Sequence, residues 1–414
     1  MRPVFCPGLW YRFPVKSRAP IVAALALLAG LPLAGQALRG FPPDYFTFPP
    51  LVVTAPDHAP FLWPVWWIFA AVGLFAALLL LHPLSPPRPC LPGSRPPRPC
   101  GVGESVSGFK PPRACPVGES VPSTPSSPRP FPLHGRFGLA LLAVSWFLAW
   151  SGLDLPGPAE QHTFFPLWLG FILFLDGLVV RRSGTSLATT ARRDFLWMFP
   201  VSAVSWWYFE FLNRSVRNWW YPDRMDFGPV HYLIYSSLCF STVLPAIFEI
   251  RDLLATFPAL RRRWSDGPRW RLPHAAPAAF LLGALLLPLV TRYPDPLFFA
   301  TWVAPLLLLA GALGLARIES PFDPVKRGDW TPVLLLAYAA LACGFFWELW
   351  NAFSSPRWAY AVPYVDRFHL FAMPAVGYTG YLPFGPICAC FWLAWTGLLR
   401  SGSGRNNTLF PRAC

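Results

Sequence analysis

Apolar runs alternate with short polar stretches along the whole chain, at about 20–37, 61–82, 137–152, 164–180, 195–213, 230–250, 273–291, 298–316, 331–350 and 371–399. Most are about 17–22 residues long, the length a helix needs to cross the hydrocarbon of a bilayer. The pattern predicts an all-α, polytopic helical membrane protein with about ten transmembrane helices. The polar stretches supply an orientation. Counted on alternate sides of these runs, 27 of the 34 Lys and Arg fall on one side and seven on the other. Positive charge is retained in the cytoplasm. The count therefore predicts a plasma or inner membrane protein with both termini cytoplasmic, and it places no basic residue inside a span.

The first run is ambiguous. Arg2, Arg12, Lys16 and Arg18 precede it, and small residues near Gly35 and Ala37 follow it. That is the layout of a signal peptide as well as of an anchor. The anchor reading is favoured by the long basic lead and the weak cleavage pattern.

Composition narrows the class. The chain has 414 residues, of which 54% are hydrophobic and only 13% charged, too few charges to coat a globule of this size in water. The 21 Trp and 36 Phe suit membrane–water boundaries. The net charge of +14 is spread over short loops and not gathered in one soluble unit, so nucleic acid is excluded as a partner. The lipid bilayer is the expected partner. Nine Cys form no CxxC pair, and Cys388-x-Cys390 is a weak metal signal. There is no phosphate-binding Gly-rich loop, GxSxG or HExxH.

Residues 83–135 read as a linker. PPRPC occurs at 86–90 and 96–100, PPRAC at 111–115, and VGES at 102–105 and 117–120. So much Pro, Gly and Ser does not bury a core and predicts disorder.

Beyond the linker the chain resembles itself. Shifted by 138 positions, Glu210 meets Glu348, Asn213 meets Asn351, Trp220 meets Trp358, His231 meets His369, and Leu244-Pro245 meets Leu382-Pro383. These identities fall on residue types that are scarce here or costly in a membrane. They predict two parallel four-helix repeats, 136–271 and 272–400, after a leading helix pair at 1–82 and before a tail at 401–414. Parallel repeats are related by an axis along the membrane normal.

The same residues are the candidate site. Glu210 and Asn213 share one face near the outer end of a helix, and Glu348 and Asn351 repeat the arrangement. His231 and His369 are expected to open the following helix on the same side, with Trp220 and Trp358 in the aromatic loops between. An ionisable residue inside a span usually faces protein or a wet cavity. Converging carboxylates and imidazoles at Glu210, Glu348, His231 and His369 would form a hard-to-borderline divalent metal set. The Pro245 and Pro383 steps would free carbonyls near Ser241 and Thr379 to face a cavity.

The same residues also have a purely structural reading, in which Glu210 pairs with Arg214 or Arg217, Glu348 with Arg357, the tryptophans form a boundary belt and the histidines cap helices. Asp176 and Glu249 read as boundary residues near the cytoplasm, Asp176 snorkelling or pairing and Glu249 adjoining Arg251. Three functions follow. The first is a transporter or permease for a small cation or solute with a pseudo-two-fold site near the outer face. The second is a membrane enzyme acting at the outer leaflet. The third is a non-catalytic membrane subunit or sensor. No reaction is assigned.

Overall fold

In a computed structural model, residues 17–50, 54–84, 130–153, 161–222 and 227–399 are described. The repetitive segment of the linker and the tail lie outside them. The chain is an all-α polytopic membrane protein, and among the described residues strands are confined to two short ladders. Its helices are α1 (Ala19–Arg39), α2 (Trp63–Leu81), α3 (Leu133–Trp150), α4 (Phe164–Ser183), α5 (Leu187–Thr190), α6 (Arg192–Val216), α7 (Pro229–Phe240), α8 (Val243–Ala255), α9 (Pro258–Trp264), α10 (Ala275–Arg292), α11 (Ala300–Ala316), α12 (Thr331–Asn351) and α13 (Tyr381–Leu399). Two-residue strands β1 (Trp219–Trp220), β2 (Ala359–Tyr360), β3 (His369–Leu370) and β4 (Met373–Pro374) lie in the connections.

Among the described residues, eight helical segments are long and apolar enough to cross a membrane, two fewer than the ten expected. One of the eight joins α7 and α8 over Pro229–Ala255, and another joins a 3-10 turn at Ala375–Gly380 to α13. The two remaining expected runs are helices too. α11 is apolar but only 17 residues long. α6 runs for 25 residues, with Ser, Trp, Tyr, Glu and Asn where the others carry aliphatic side chains.

Helices meet through small residues, as they do in lipid. α3 packs along α4, and α10 along α11. A methyl group on Gly138 or Gly170 would run into the facing backbone at Phe174 or Leu142. α1 lies against α10 and α11, where Thr291 donates to the Pro32 carbonyl at 2.9 Å. α2 buries no residue and presents an apolar surface nearly all round, as a lipid-facing helix does. α8, α12 and α13 form the centre: α8 packs on α4, α6 and α12, and α13 on α11, α12 and α6.

The break between α7 and α8 is spliced by a neighbour. Ser202 of α6 donates to the Phe240 carbonyl at 2.6 Å and accepts from the Leu244 amide at 3.0 Å. The backbone groups next to the Pro245 step are thus satisfied inside the protein. At the second step, Thr379 and Pro383 do border a cavity.

The inner acidic residues sit deeper than a boundary position. Asp176 is fully buried and accepts from His134 Nε2 (2.8 Å), Ser186 Oγ (2.9 Å) and the Ala188 amide (3.2 Å). Glu249 is fully buried as well. Arg251, also buried, pairs with Asp252 at 2.5 Å, so a basic residue does enter the bundle.

Candidate functional site

Each half of the bundle carries a buried carboxyl held by aromatic donors. Glu210 Oε1 accepts from Trp206 Nε1 (3.1 Å), Trp219 Nε1 (3.1 Å) and Tyr221 Oη (2.7 Å). Glu348 Oε1 accepts from Tyr360 Oη (2.7 Å) and Tyr381 Oη (3.0 Å), and Trp358 Nε1 donates to Tyr360 Oη (2.8 Å). Glu348 Oε2 is buried and has no hydrogen-bond partner among the described residues. Among the described residues neither carboxyl forms an ion pair. Arg214 is turned to the carbonyls of Tyr45 and Thr47, and Arg217 lies 3.8 Å from Asp44.

The asparagines position these donors. Asn213 Nδ2 donates to the Trp219 carbonyl (2.7 Å) and its Oδ1 accepts from the Trp219 amide (3.4 Å). Asn351 does the same for Trp358, at 2.8 Å in both directions. A side-chain amide thus stands in for a strand neighbour and fixes the indole over the glutamate one turn earlier. The structural counterpart of Trp358 is therefore Trp219, not Trp220. Trp220 follows Trp219 in the ladder, with its indole nitrogen buried and without a partner among the described residues.

That ladder joins the two sites. β1 and β2 pair antiparallel, Trp219 opposite Tyr360 and Trp220 opposite Ala359. The Ala361 amide extends it to the Asn218 carbonyl at 3.0 Å. Tyr221 and Tyr360, which sequence reasoning missed, leave this ladder as the shortest donors to the two glutamates. Burial, and next the neighbouring carboxyl, pushes both phenols well above their ordinary value of 10.0, so they stay protonated donors.

The third donor differs between the halves. In the first it is Trp206, one turn before Glu210. The corresponding position in the second is Gly344, where any Cβ would collide with the Tyr381 ring. Tyr381 arrives from α13 and fills that space. Its own counterpart, 138 positions earlier, is Val243.

Between the two carboxyl sites lies a cavity of about 530 Å³. Trp206, Trp219 and Tyr221 form one side, Trp347, Tyr360 and Tyr381 another, with Trp302 and Phe384 between them and α2 contributing Phe69 and Val72. The walls are mostly apolar. Trp219 and Trp302 stack at 6.0 Å between ring centroids, and Trp347 lies 5.9 Å from Tyr381. The glutamates do not line the cavity. They stand behind the indoles and phenols that do.

The histidines are elsewhere. His231, exposed on α7, faces His162 with their Nε2 atoms 2.9 Å apart. His369 does not open a helix. It lies exposed in β3, opposite Pro374, and contacts Asp366 at 2.9 Å. Among the described residues no three His, Cys, Asp or Glu gather as a metal set, so the one expected from Glu210, Glu348, His231 and His369 is not assembled. Comparison with protein-family models, curated proteins and solved structures finds no match.

Proposed function

We propose that 136–271 and 272–400 are two copies of one four-helix unit, and that the cavity between them holds a lipid-soluble molecule, making the protein a permease for such a molecule rather than for a bare ion. The duplication is supported by the shared Glu, Asn, Trp and Tyr constellation. It is also supported by the ladder, in which the corresponding residues Trp220 and Ala359 face each other directly, as they do on a two-fold axis. The uneven distribution of Lys and Arg supports placing this end of the bundle outside the cytoplasm.

The observation that carries the ligand class is the wall. A bare cation needs several oxygen ligands aimed into its site. Here both carboxyls are turned to indole and phenol donors, and what faces the space is mostly apolar, much of it aromatic. A volume of about 530 Å³ falls within the usual range for small-molecule sites. A lipid-soluble molecule would enter from the bilayer and replace few water contacts.

One observation favours a second reading, an enzyme acting at that leaflet: the unpartnered Glu348 Oε2 behind the wall. Recovery of a probe chemically altered after incubation selects it.

The binding claim is tested by photolabelling protein in nanodiscs with a long-chain alcohol bearing a mid-chain diazirine. The expected adducts concentrate on Trp302, Trp347 and Phe384. They fall about tenfold when Val303→Trp fills the cavity, the loss that a change of about 1.4 kcal/mol gives. Label spread over the lipid face of α2 and unaffected by Val303→Trp contradicts the proposal.

A further inference from the structure

The two carboxyl sites are not interchangeable, and the difference bears on what a ligand's polar end must be. At the Glu348 site the donors are committed. The Tyr360 and Tyr381 hydroxyls both donate to Glu348 Oε1, and the Trp358 indole donates to Tyr360 Oη. A phenol that has donated its one hydrogen retains only acceptor capacity. Glu348 is fully buried, and its second oxygen has no partner. This end of the cavity therefore offers acceptors, reached through Tyr381, whose ring occupies the space left by Gly344. In the first half Trp206 takes the Gly344 position, its indole has only a donor to offer, already given to Glu210, and Tyr221 supplies one phenol oxygen against the two here.

The charge on the wall narrows the choice. Neither carboxyl lines the mostly apolar cavity, so an ammonium head would be buried there without a counter-charge. The lone pairs of two phenols and the buried carboxyl disfavour an anion. What remains is a neutral group that brings its own hydrogen.

We infer that the end of the cavity at Tyr381, Tyr360 and Glu348 is the head-group subsite, and that it takes a hydroxyl on an otherwise apolar, lipid-soluble molecule. The hydroxyl donates to Tyr381 Oη, and the apolar body lies along Trp347, Trp302 and Phe384. This subsite rests on the ligand class proposed above.

The test compares two photoreactive probes in nanodiscs: the sixteen-carbon alcohol with a mid-chain diazirine, and its methyl ether, which has the same body but no hydrogen to donate. One net hydrogen bond predicts roughly fivefold stronger labelling of the cavity by the alcohol. Tyr381→Phe keeps the ring over Gly344 but removes the acceptor, and brings the alcohol down to the level of the ether. Tyr338→Phe, which removes a phenol that donates to the Ala76 carbonyl away from the cavity, leaves the preference intact, which separates an acceptor at this end from a general loss of packing. Equal labelling of the wild-type cavity by both probes overturns the hydroxyl subsite while leaving the cavity reading standing. A preference that persists in Tyr381→Phe also overturns it. Absence of cavity labelling by either probe overturns the ligand class itself.

Discussion

Gly344 and Tyr381 are a matched pair, and substitutions should reveal it. A side chain at 344 displaces the Tyr381 ring and removes one of the two phenol bonds on Glu348 Oε1. Overpacking of this kind costs about 1–3 kcal/mol. Gly344→Trp alone is expected to lower the Tm in detergent, and the double variant with Tyr381→Val, which copies the Trp206/Val243 arrangement, to recover part of the loss. A double variant no more stable than the single would show that the two positions are not coupled. Asn351→Ala leaves the Trp358 amide and carbonyl without their partner and costs about 1–3 kcal/mol. Asn351→Asp restores only the acceptor, so it recovers less than half of that loss in the same unfolding measurement.

The residue scale is also where the sequence was most and least legible. Glu210, Asn213, Glu348 and Asn351 stood out because burying such groups in a membrane is costly without a purpose. Tyr221 and Tyr360 did not, because the second loop carries one extra residue between its Asn and its Trp. An ungapped shift pairs Tyr221 with Ala359 and the wrong tryptophan with Trp358. Allowing that gap aligns Trp-x-Tyr with Trp-x-Tyr and exposes both phenols. Trp206 and Tyr381 have no such signal, since they reach equivalent carboxyls from non-equivalent positions.

At the scale of elements, Ser202 is the joint between α6 and the broken α7–α8 span. Ser202→Ala leaves the Phe240 carbonyl and Leu244 amide unsatisfied at a buried site, at about 1–3 kcal/mol. The expected readout is faster hydrogen exchange at the Leu244 amide with little change in α12. Unchanged exchange would mean that the break is held by other contacts. The corresponding position on α12 is Ala340, and the second half makes its break differently, with the β3–β4 ladder and a 3-10 turn before α13. This is why His369 failed as a helix start. Its residues are compatible with a helix, but their tertiary pairing is a ladder. The helix positions themselves followed directly from apolar periodicity; of the ten expected spans, the two that fall short of a crossing helix's length or apolarity are α11, which is short, and α6, which is polar enough to require protein around it.

At the scale of the molecule, the polar residues sort by end. The aromatic-bound glutamates and the cavity occupy one end of α6 and α12, and Asp176, Glu249, Arg251 and Asp252 lie toward the end where α4 and α8 finish. The second group has no counterpart in the other half, where Gly314, Ile387, Ala389 and Cys390 stand at the shifted positions. The proposed two-fold resemblance is thus strongest around the cavity. A cavity closed by two similar walls suits a molecule whose body is gripped from both sides, with its orientation set by a feature that differs between them, the phenol over Gly344. The direct measurement is a cryo-EM map of the protein in lipid nanodiscs, purified without added ligand. The account predicts an elongated density among Trp302, Trp347 and Phe384, with one end at the Tyr381 hydroxyl. A cavity filled by its own collapsed side chains, or by a compact ion held by Glu210 and Glu348, would contradict it.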